Sequence, residues 1–269
     1  MKRLMTTLLL LLAFVFAGGR EYAVRGSLGG LETVLTMPEG FDPQAGTCPL
    51  VILMHGFWVN KDFHPLPHCE RFFHDRGYAT LRFDFGGCGR SEGASTAMTV
   101  ETLLADARAI YDYARSLPFV ESITLWGHSQ GGLVAGMLAG RLALEGLAPD
   151  AVLLLAPAAV IPDYAKEGRF FGISCDPEDP AESINIYGYR IGKEYVLAAQ
   201  KARAYEETSA YKGPLYVIHG TKDTIVPYKY GERYKSEVPQ AVLYTIPGEG
   251  HLFLRTSTLD RILRECLDR

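Results

Sequence analysis

Residues 122–126, Ser-Ile-Thr-Leu-Trp, run without a spacer into Gly127-His128-Ser129-Gln130-Gly131-Gly132, and an apolar, small-residue segment, 133–144, runs straight out. A strand that turns this abruptly into a helix needs small neighbours on both sides of the turn, and the three glycines supply them. A buried strand feeding a helix is the repeating unit of a parallel sheet, and the rest of the chain repeats it. Apolar runs at 50–54, 79–85, 151–155, 215–218 and 242–246 alternate with helical patterns at 100–117 and 257–267. In the first of these helices Leu103, Leu104, Ala107, Ile110, Tyr111 and Ala114 fall on one side, and Pro118 stops it. The expected class is α/β: a mostly parallel central sheet flanked by helices, with right-handed crossovers.

Residues 158–212 break the rhythm. They carry Pro162, Pro177 and Pro180, no strong buried strand, and many aromatic residues, among them Tyr164, Phe170, Phe171, Tyr187, Tyr189 and Tyr195. The segment reads as a small cap inserted at the edge where open α/β sheets bind ligands. The N-terminus has its own pattern. Lys2 and Arg3 precede an apolar run over 8–17, about half the ~20 residues a membrane span needs, and Val15 and Ala17 sit like a cleavage site. Residues 1–17 therefore read as a secretory signal peptide. Residues 18–269 then form one domain, exported to a periplasm or beyond, with no membrane span in the mature protein. A net charge of −4 offers no basic field for a phosphate backbone, which argues against nucleic acid. The five cysteines, Cys48, Cys69, Cys88, Cys175 and Cys266, are an odd number without metal-ligand spacing and read as ordinary buried or half-buried thiols.

The pattern Gly-x-Ser-x-Gly occurs twice. Around Ser91 it lies in a glycine-rich loop with no helix behind it; around Ser129 it sits in the strand-turn-helix context that exposes a nucleophile. A serine hydroxyl needs a base, and the base needs a carboxylate to orient it. In this chain order the acid follows the serine and the histidine comes last. Asp223, in the turn after 215–218, and His251, in the loop after 242–246, satisfy that order. His219 comes before its carboxylate, and Glu249 is the alternative acid. Acyl transfer also requires donors for the oxyanion. The backbone N–H of Gln130 is one, and that of Phe57, in His55-Gly56-Phe57 after the run 50–54, is the other. His64 and His68 are spaced for a metal, but Pro65 and Pro67 argue against a helix joining them. No phosphate loop or dinucleotide fingerprint is present, so neither a metal nor a cofactor is implied.

These motifs identify the chain as a member of the α/β-hydrolase superfamily. More closely, it resembles the bacterial cinnamoyl (feruloyl) esterases over roughly residues 30–268. The resemblance rests on His55-Gly56-Phe57, on Arg82-Phe83-Asp84 with its glycine loop and Ser91, and on residues 127–132. It continues through Ala156-Pro157-Ala158-Ala159 with Ile161-Pro162, Asp223 with Val226-Pro227, and Pro247-Gly248 with His251. It implies a serine esterase that acts on hydroxycinnamate esters of plant cell-wall sugars, a feruloylated oligosaccharide among them. It also implies that the cap forms one wall of the acyl pocket, with Tyr187, Tyr189 or Tyr195 presenting a hydroxyl to a phenolic ring. Trp58 and Val59 depart from the small residues frequent at that point and would narrow the acyl or alcohol side. Alternatives are a general carboxylesterase or monoacylglycerol lipase, acyl transfer to another alcohol, and a non-catalytic binding protein on the same scaffold.

Overall fold

The structure is a computed structural model and describes residues 22–268; the expected signal peptide lies outside them. The chain opens with a hairpin, β1 (Val24–Gly26) and β2 (Gly29–Leu31), followed by β3 (Thr33–Thr36) and β4 (Cys48–Met54). Then come α1 (Leu66–His74), β5 (Ala79–Phe83), α2 (Val100–Ser116), β6 (Val120–His128), α3 (Gln130–Leu144) and β7 (Ala151–Leu155). Over 158–212 the chain forms α4 (Ile161–Glu167), two small hairpins, α5 (Lys193–Ala199) and α6 (Ala204–Ser209). The hairpins are β8 (Arg169–Phe170) with β9 (Ile173–Ser174), and β10 (Ser183–Ile186) with β11 (Tyr189–Gly192). The domain closes with β12 (Leu215–Gly220), α7 (Lys229–Glu237), β13 (Ala241–Ile246) and α8 (Thr256–Leu267).

Seven strands form the central sheet in the order β13-β12-β7-β6-β4-β5-β3. All neighbours are parallel except β3, which pairs antiparallel with β5. Alternation along β4 shows how the sheet divides the core. Leu50, Ile52 and Met54 join the cluster under α2 and α3; Val51 and Leu53 join the cluster under α1 and α8. Both faces are covered, which is why the strands read as unbroken apolar runs. From β4 the chain moves to β5 on one side and returns to β6 on the other. The crevice at the carboxyl ends of β4 and β6 is therefore the switch point where such sheets bind ligands.

Local chemistry explains the helix boundaries. Thr99 caps α2: its hydroxyl accepts from the Thr102 N–H at 3.1 Å, and the Thr102 hydroxyl accepts from the Thr99 N–H at 2.8 Å. Pro67 lies in the first turn of α1, where a missing N–H costs nothing. His68 is thus helical after all, and only His64 lies outside. Each ring has a partner of its own: the His68 ring meets Asp260 at 2.7 Å, and the His64 Nε2–H donates to the Phe253 carbonyl at 3.3 Å. Among the described residues no group of three or more His, Cys, Asp or Glu side chains is placed to hold a metal ion, and no helix is long and apolar enough to cross a membrane. Cys48, Cys69, Cys88 and Cys266 are buried thiols and Cys175 is half-buried.

A buried ion pair fixes the loop after β4. Asp84 and Lys61 are both sequestered, with Nζ 3.2 Å from the carboxylate. Asp84 also accepts from the backbone N–H groups of Lys61 (2.7 Å) and Arg90 (2.8 Å). Arg82 holds the same loop by donating to the Lys61 carbonyl and to Asp62. Removing one partner of a buried pair leaves the other charge unpaired, which costs about 3–5 kcal/mol. Asp84→Ala should therefore lower the unfolding free energy, read from urea denaturation, by an amount in that range. Lys61→Met should cost less, because Asp84 keeps its two amide donors. Equal losses in the two variants would refute this asymmetry.

Candidate active site

Ser129 sits between the end of β6 and the first turn of α3 with φ 57° and ψ −120°, a strained backbone for a non-glycine residue. The turn is held on three sides. The Ser129 N–H donates to the Leu155 carbonyl at 2.9 Å, and the Ser129 carbonyl accepts from the Leu133 and Ala158 N–H groups. A side chain at Gly127 would collide with the Gly131 carbonyl, and one at Gly131 with the Met54 carbonyl. The glycines are thus required by close approach of backbone to backbone.

Asp223 and His251 meet beyond the ends of β12 and β13, with Nδ1 2.7 Å from Oδ2. A carboxylate only accepts, so Nδ1 carries the proton and Nε2 is left bare. The Oδ1 of Asp223 accepts from the N–H groups of Ile225 (2.9 Å) and Val226 (2.8 Å). On the Oδ2 side lies His219, fully buried, its Nε2 3.4 Å away and also donating to the Val226 carbonyl at 2.9 Å. Burial opposes ionisation of Asp223, but the hydrogen bonds from His219 and His251 outweigh it and hold the carboxyl well below its usual range. Its stabilising contribution is therefore present above the ordinary carboxylate pKa of ~3.9 and is lost as acid protonates it.

His251 packs beside His128, the residue before Ser129, with the two rings 4.8 Å apart. The His128 Nε2–H donates to the His251 carbonyl at 2.8 Å. Burial, and then the neighbouring His251, push the His128 pKa down to about 3, so His128 stays neutral beside His251.

The Phe57 amide is oriented by a second imidazole. His55 accepts from the Phe85 N–H on Nε2 (3.1 Å), so its proton is on Nδ1, which donates to the Gly56 carbonyl at 2.8 Å. In a trans peptide the carbonyl and the next N–H point opposite ways. Holding the Gly56 oxygen therefore aims the Phe57 N–H away from His55. Gly56 abuts the serine: a Cβ there would lie 3.1 Å from the Ser129 Cβ. The Gln130 N–H, at the start of α3, has no carbonyl within the helix to bond.

A cavity of about 340 Å³, including its open mouth, adjoins Ser129. Phe57, Ile161, Tyr164, Phe170, Tyr195 and Val226 are prominent in its wall. The Tyr195 hydroxyl donates to the Gln130 side-chain oxygen at 2.7 Å, so the deepest tyrosine is tied to the residue next to the serine.

The model of the alpha/beta hydrolase family matches residues 51–264. The chain belongs to that family. This hydrolase is similar in structure to Est1E from Butyrivibrio proteoclasticus with ferulic acid bound: TM-score 0.80, 31% identity, 89% of this chain and 96% of that one. It shares the fold of the Paleococcus ferrophilus monoacylglycerol lipase, with TM-score 0.64, 20% identity, 87% of this chain and 97% of that one. Among curated proteins it is 25% identical over 191 residues to the lysophosphatidylserine lipase ABHD12 of Danio rerio, covering 69% of this chain and 46% of the relative. It is also 25% identical over 246 residues to the Rattus norvegicus protein of that name, covering 85% of this chain and 58% of the relative. The hydrolase spans about half the length of these curated relatives.

Of the substrate-binding candidates Trp58, Tyr187, Tyr189 and Tyr195, only Tyr195 lines the cavity, where it joins Phe57 and the cap rings Tyr164, Phe170 and Phe171. Tyr189 lies behind Phe57, its hydroxyl 3.5 Å from the Cys88 sulfur. Tyr187 is exposed and donates to the Phe171 carbonyl at 3.2 Å. Trp58 is outside the wall. Ser91 donates to the Asp84 carbonyl and accepts from the Glu32 N–H, a loop-fastening role. Glu249 accepts from the Gly250 and Arg255 N–H groups, and the carboxylate on His251 Nδ1 is that of Asp223. Sequence reasoning missed the supporting imidazoles of His55, His128 and His219. The signal was present, since each flanks a motif glycine or serine, but only the fold shows what each ring touches.

Proposed function

We propose that this hydrolase is a serine esterase that cleaves carboxylic esters through an acyl-enzyme, with hydroxycinnamate esters of cell-wall sugars as its substrates. The observation that carries the chemistry is the 2.7 Å Asp223–His251 hydrogen bond at the sheet edge that carries the strained Ser129 turn. Ser129 Oγ attacks the ester carbonyl while Nε2 of His251 takes its proton, and Asp223 stabilises the imidazolium. The Phe57 and Gln130 amides receive the oxyanion. Collapse of the tetrahedral intermediate breaks the ester C–O bond, and His251 returns the proton to the departing alcohol. Water, deprotonated by His251, then attacks the acyl-enzyme, releases the acid and restores Ser129.

Support for the acyl group comes from the cavity wall, which is mostly rings and branched aliphatic residues, and from the likeness to a protein seen with ferulic acid bound. A flat ring fits between such surfaces. Export, with removal of residues 1–17, belongs to the same proposal and rests on the N-terminal pattern. The curated relatives favour a second substrate class, a monoacyl lipid. Hydrolysis of methyl ferulate against p-nitrophenyl butyrate, with purified residues 18–269, decides between them. A kcat/KM for ferulate at least ~10-fold above that for butyrate is expected, although the aryl leaving group favours the butyrate; the reverse order would withdraw the hydroxycinnamate assignment.

A further inference from the structure

Asp223 is tied to the cavity wall by a closed ring of contacts. Its Oδ1 accepts from the Val226 N–H at 2.8 Å. The Val226 carbonyl accepts from Nε2–H of His219 at 2.9 Å. The same Nε2 stands 3.4 Å from Oδ2 of Asp223, the oxygen that His251 meets at 2.7 Å. Val226 itself lines the cavity. One buried N–H thus faces both a wall residue and the carboxylate that orients His251.

Packing alone does not call for an imidazole here. His219 lies at the end of β12 and is fully buried. Its Nδ1 has no hydrogen-bond partner among the described residues, and a buried polar atom left so costs stability. Gly231 on α7 makes room for that nitrogen: a Cβ there would lie 2.5 Å from Nδ1. The Tyr228 ring packs edge-on at 5.7 Å. A leucine would fill this space with no stranded nitrogen, so what the histidine adds is its N–H. Both neighbours of Nε2 only accept, which places a proton on it.

We propose that His219 is a positioning residue for the triad carboxylate, fixing the loop that carries Asp223 and setting how strongly Asp223 holds the imidazolium of His251. An oxygen that faces two N–H groups holds each less tightly than an oxygen that serves one. His251 therefore sheds its proton at lower pH than it would on an undivided carboxylate, and turnover persists into mildly acidic surroundings. The inference rests on the serine-esterase reading above and adds a residue to it. The other titratable or charged groups about the pair are His128 at the elbow, His64 before α1, Tyr164 on α4, Lys222, and Glu249 with Arg255 in the His251 loop. Substitution of His219 leaves all of them in place.

The test is the pH profile of kcat/KM for p-nitrophenyl butyrate in three variants. His219→Leu and His219→Asn both remove the donor at the Nε2 position, one with an apolar and one with a polar side chain, so a folding failure in either leaves the other to decide. In His219→Gln the amide nitrogen lies as many bonds from Cβ as Nε2 does and restores the donor. Leu and Asn should raise the acid midpoint by about 0.5–1 in pH, as expected when a carboxylate gives more of its charge to one partner. They should also lower kcat on the plateau about 3–10-fold, as the loop loses its hold; Gln should bring both back towards wild type. A fall in rate with an unmoved midpoint is what a merely structural residue gives, and it would overturn the proposal, as would a Gln variant no better than Leu. The Nδ1 proton of His251, observed by NMR, reads the same contact without any substrate. It should move downfield in the Leu and Asn proteins and return in the Gln protein. An unmoved proton also overturns the proposal, whereas a shifted proton in a protein that turns over no ester would withdraw the esterase reading instead.

Discussion

Ser129→Ala is expected to reduce ester turnover by about 10⁴-fold or more, the scale on which a triad nucleophile acts, and to abolish covalent labelling by a fluorophosphonate. The change removes one oxygen and leaves the backbone turn, its three hydrogen bonds and the glycine contacts in place, so the loss should come without a change in melting temperature. Ser91→Ala is the matched control: its hydroxyl fastens the Asp84 loop, and the variant should still label. Labelling of the Ser129→Ala protein would remove the central assumption of the mechanism.

Asp223→Asn should come close to the same loss, about 10⁴-fold in kcat, for a reason the surroundings make specific. Two backbone N–H groups point at Oδ1. An asparagine must place its carbonyl oxygen there, because its NH₂ would face two donors. The NH₂ then faces His251 Nδ1 and forces that nitrogen to accept. The proton moves to Nε2, and the ring can no longer take one from Ser129. The same NH₂ also confronts the Nε2–H of His219, a buried donor against a donor, so a stability loss of about 1–3 kcal/mol accompanies the loss of rate. Because Asp223 is held ionised, the stability gap between wild type and variant should close as the pH falls below ~4. Denaturation midpoints at pH 7 and pH 3 measure it, and a gap independent of pH would contradict the role given to the two imidazoles.

The central sheet and the three candidate triad side chains were legible in the sequence because each is written locally. A strand buried on both faces is an unbroken apolar run, and Ser129, Asp223 and His251 each follow one. Three other features were not local. The helix Lys229–Glu237 buries little beyond Tyr230, Gly231 and Tyr234, so its apolar stripe is too thin to read. The edge strand Thr33–Thr36 is only half-buried along its length and lacks the apolar signature. The pocket wall was named as an aromatic-rich segment, but which rings face inward depends on hairpins only a few residues long. Tyr195 and Tyr187 are chemically alike, and only the fold separates the buried one from the exposed one.

The seating of helix α6 against α3 has a consequence for how substrates enter. Gly136 and Gly140 open a groove in α3 that receives Thr208 and the Glu207 backbone, and Arg141 clasps Glu207 at 2.7 Å. At the other end, Ala158 donates to the Ser129 carbonyl, and Asp163 is held by the Tyr230 hydroxyl at 2.8 Å. The cap is thus anchored like a bridge with two abutments, not hung like a door. A bridge keeps its archway open and its span fixed. Lifting the cap as a unit would have to break these ties, so the shape of the archway is set by the same contacts that fasten the cap to the sheet.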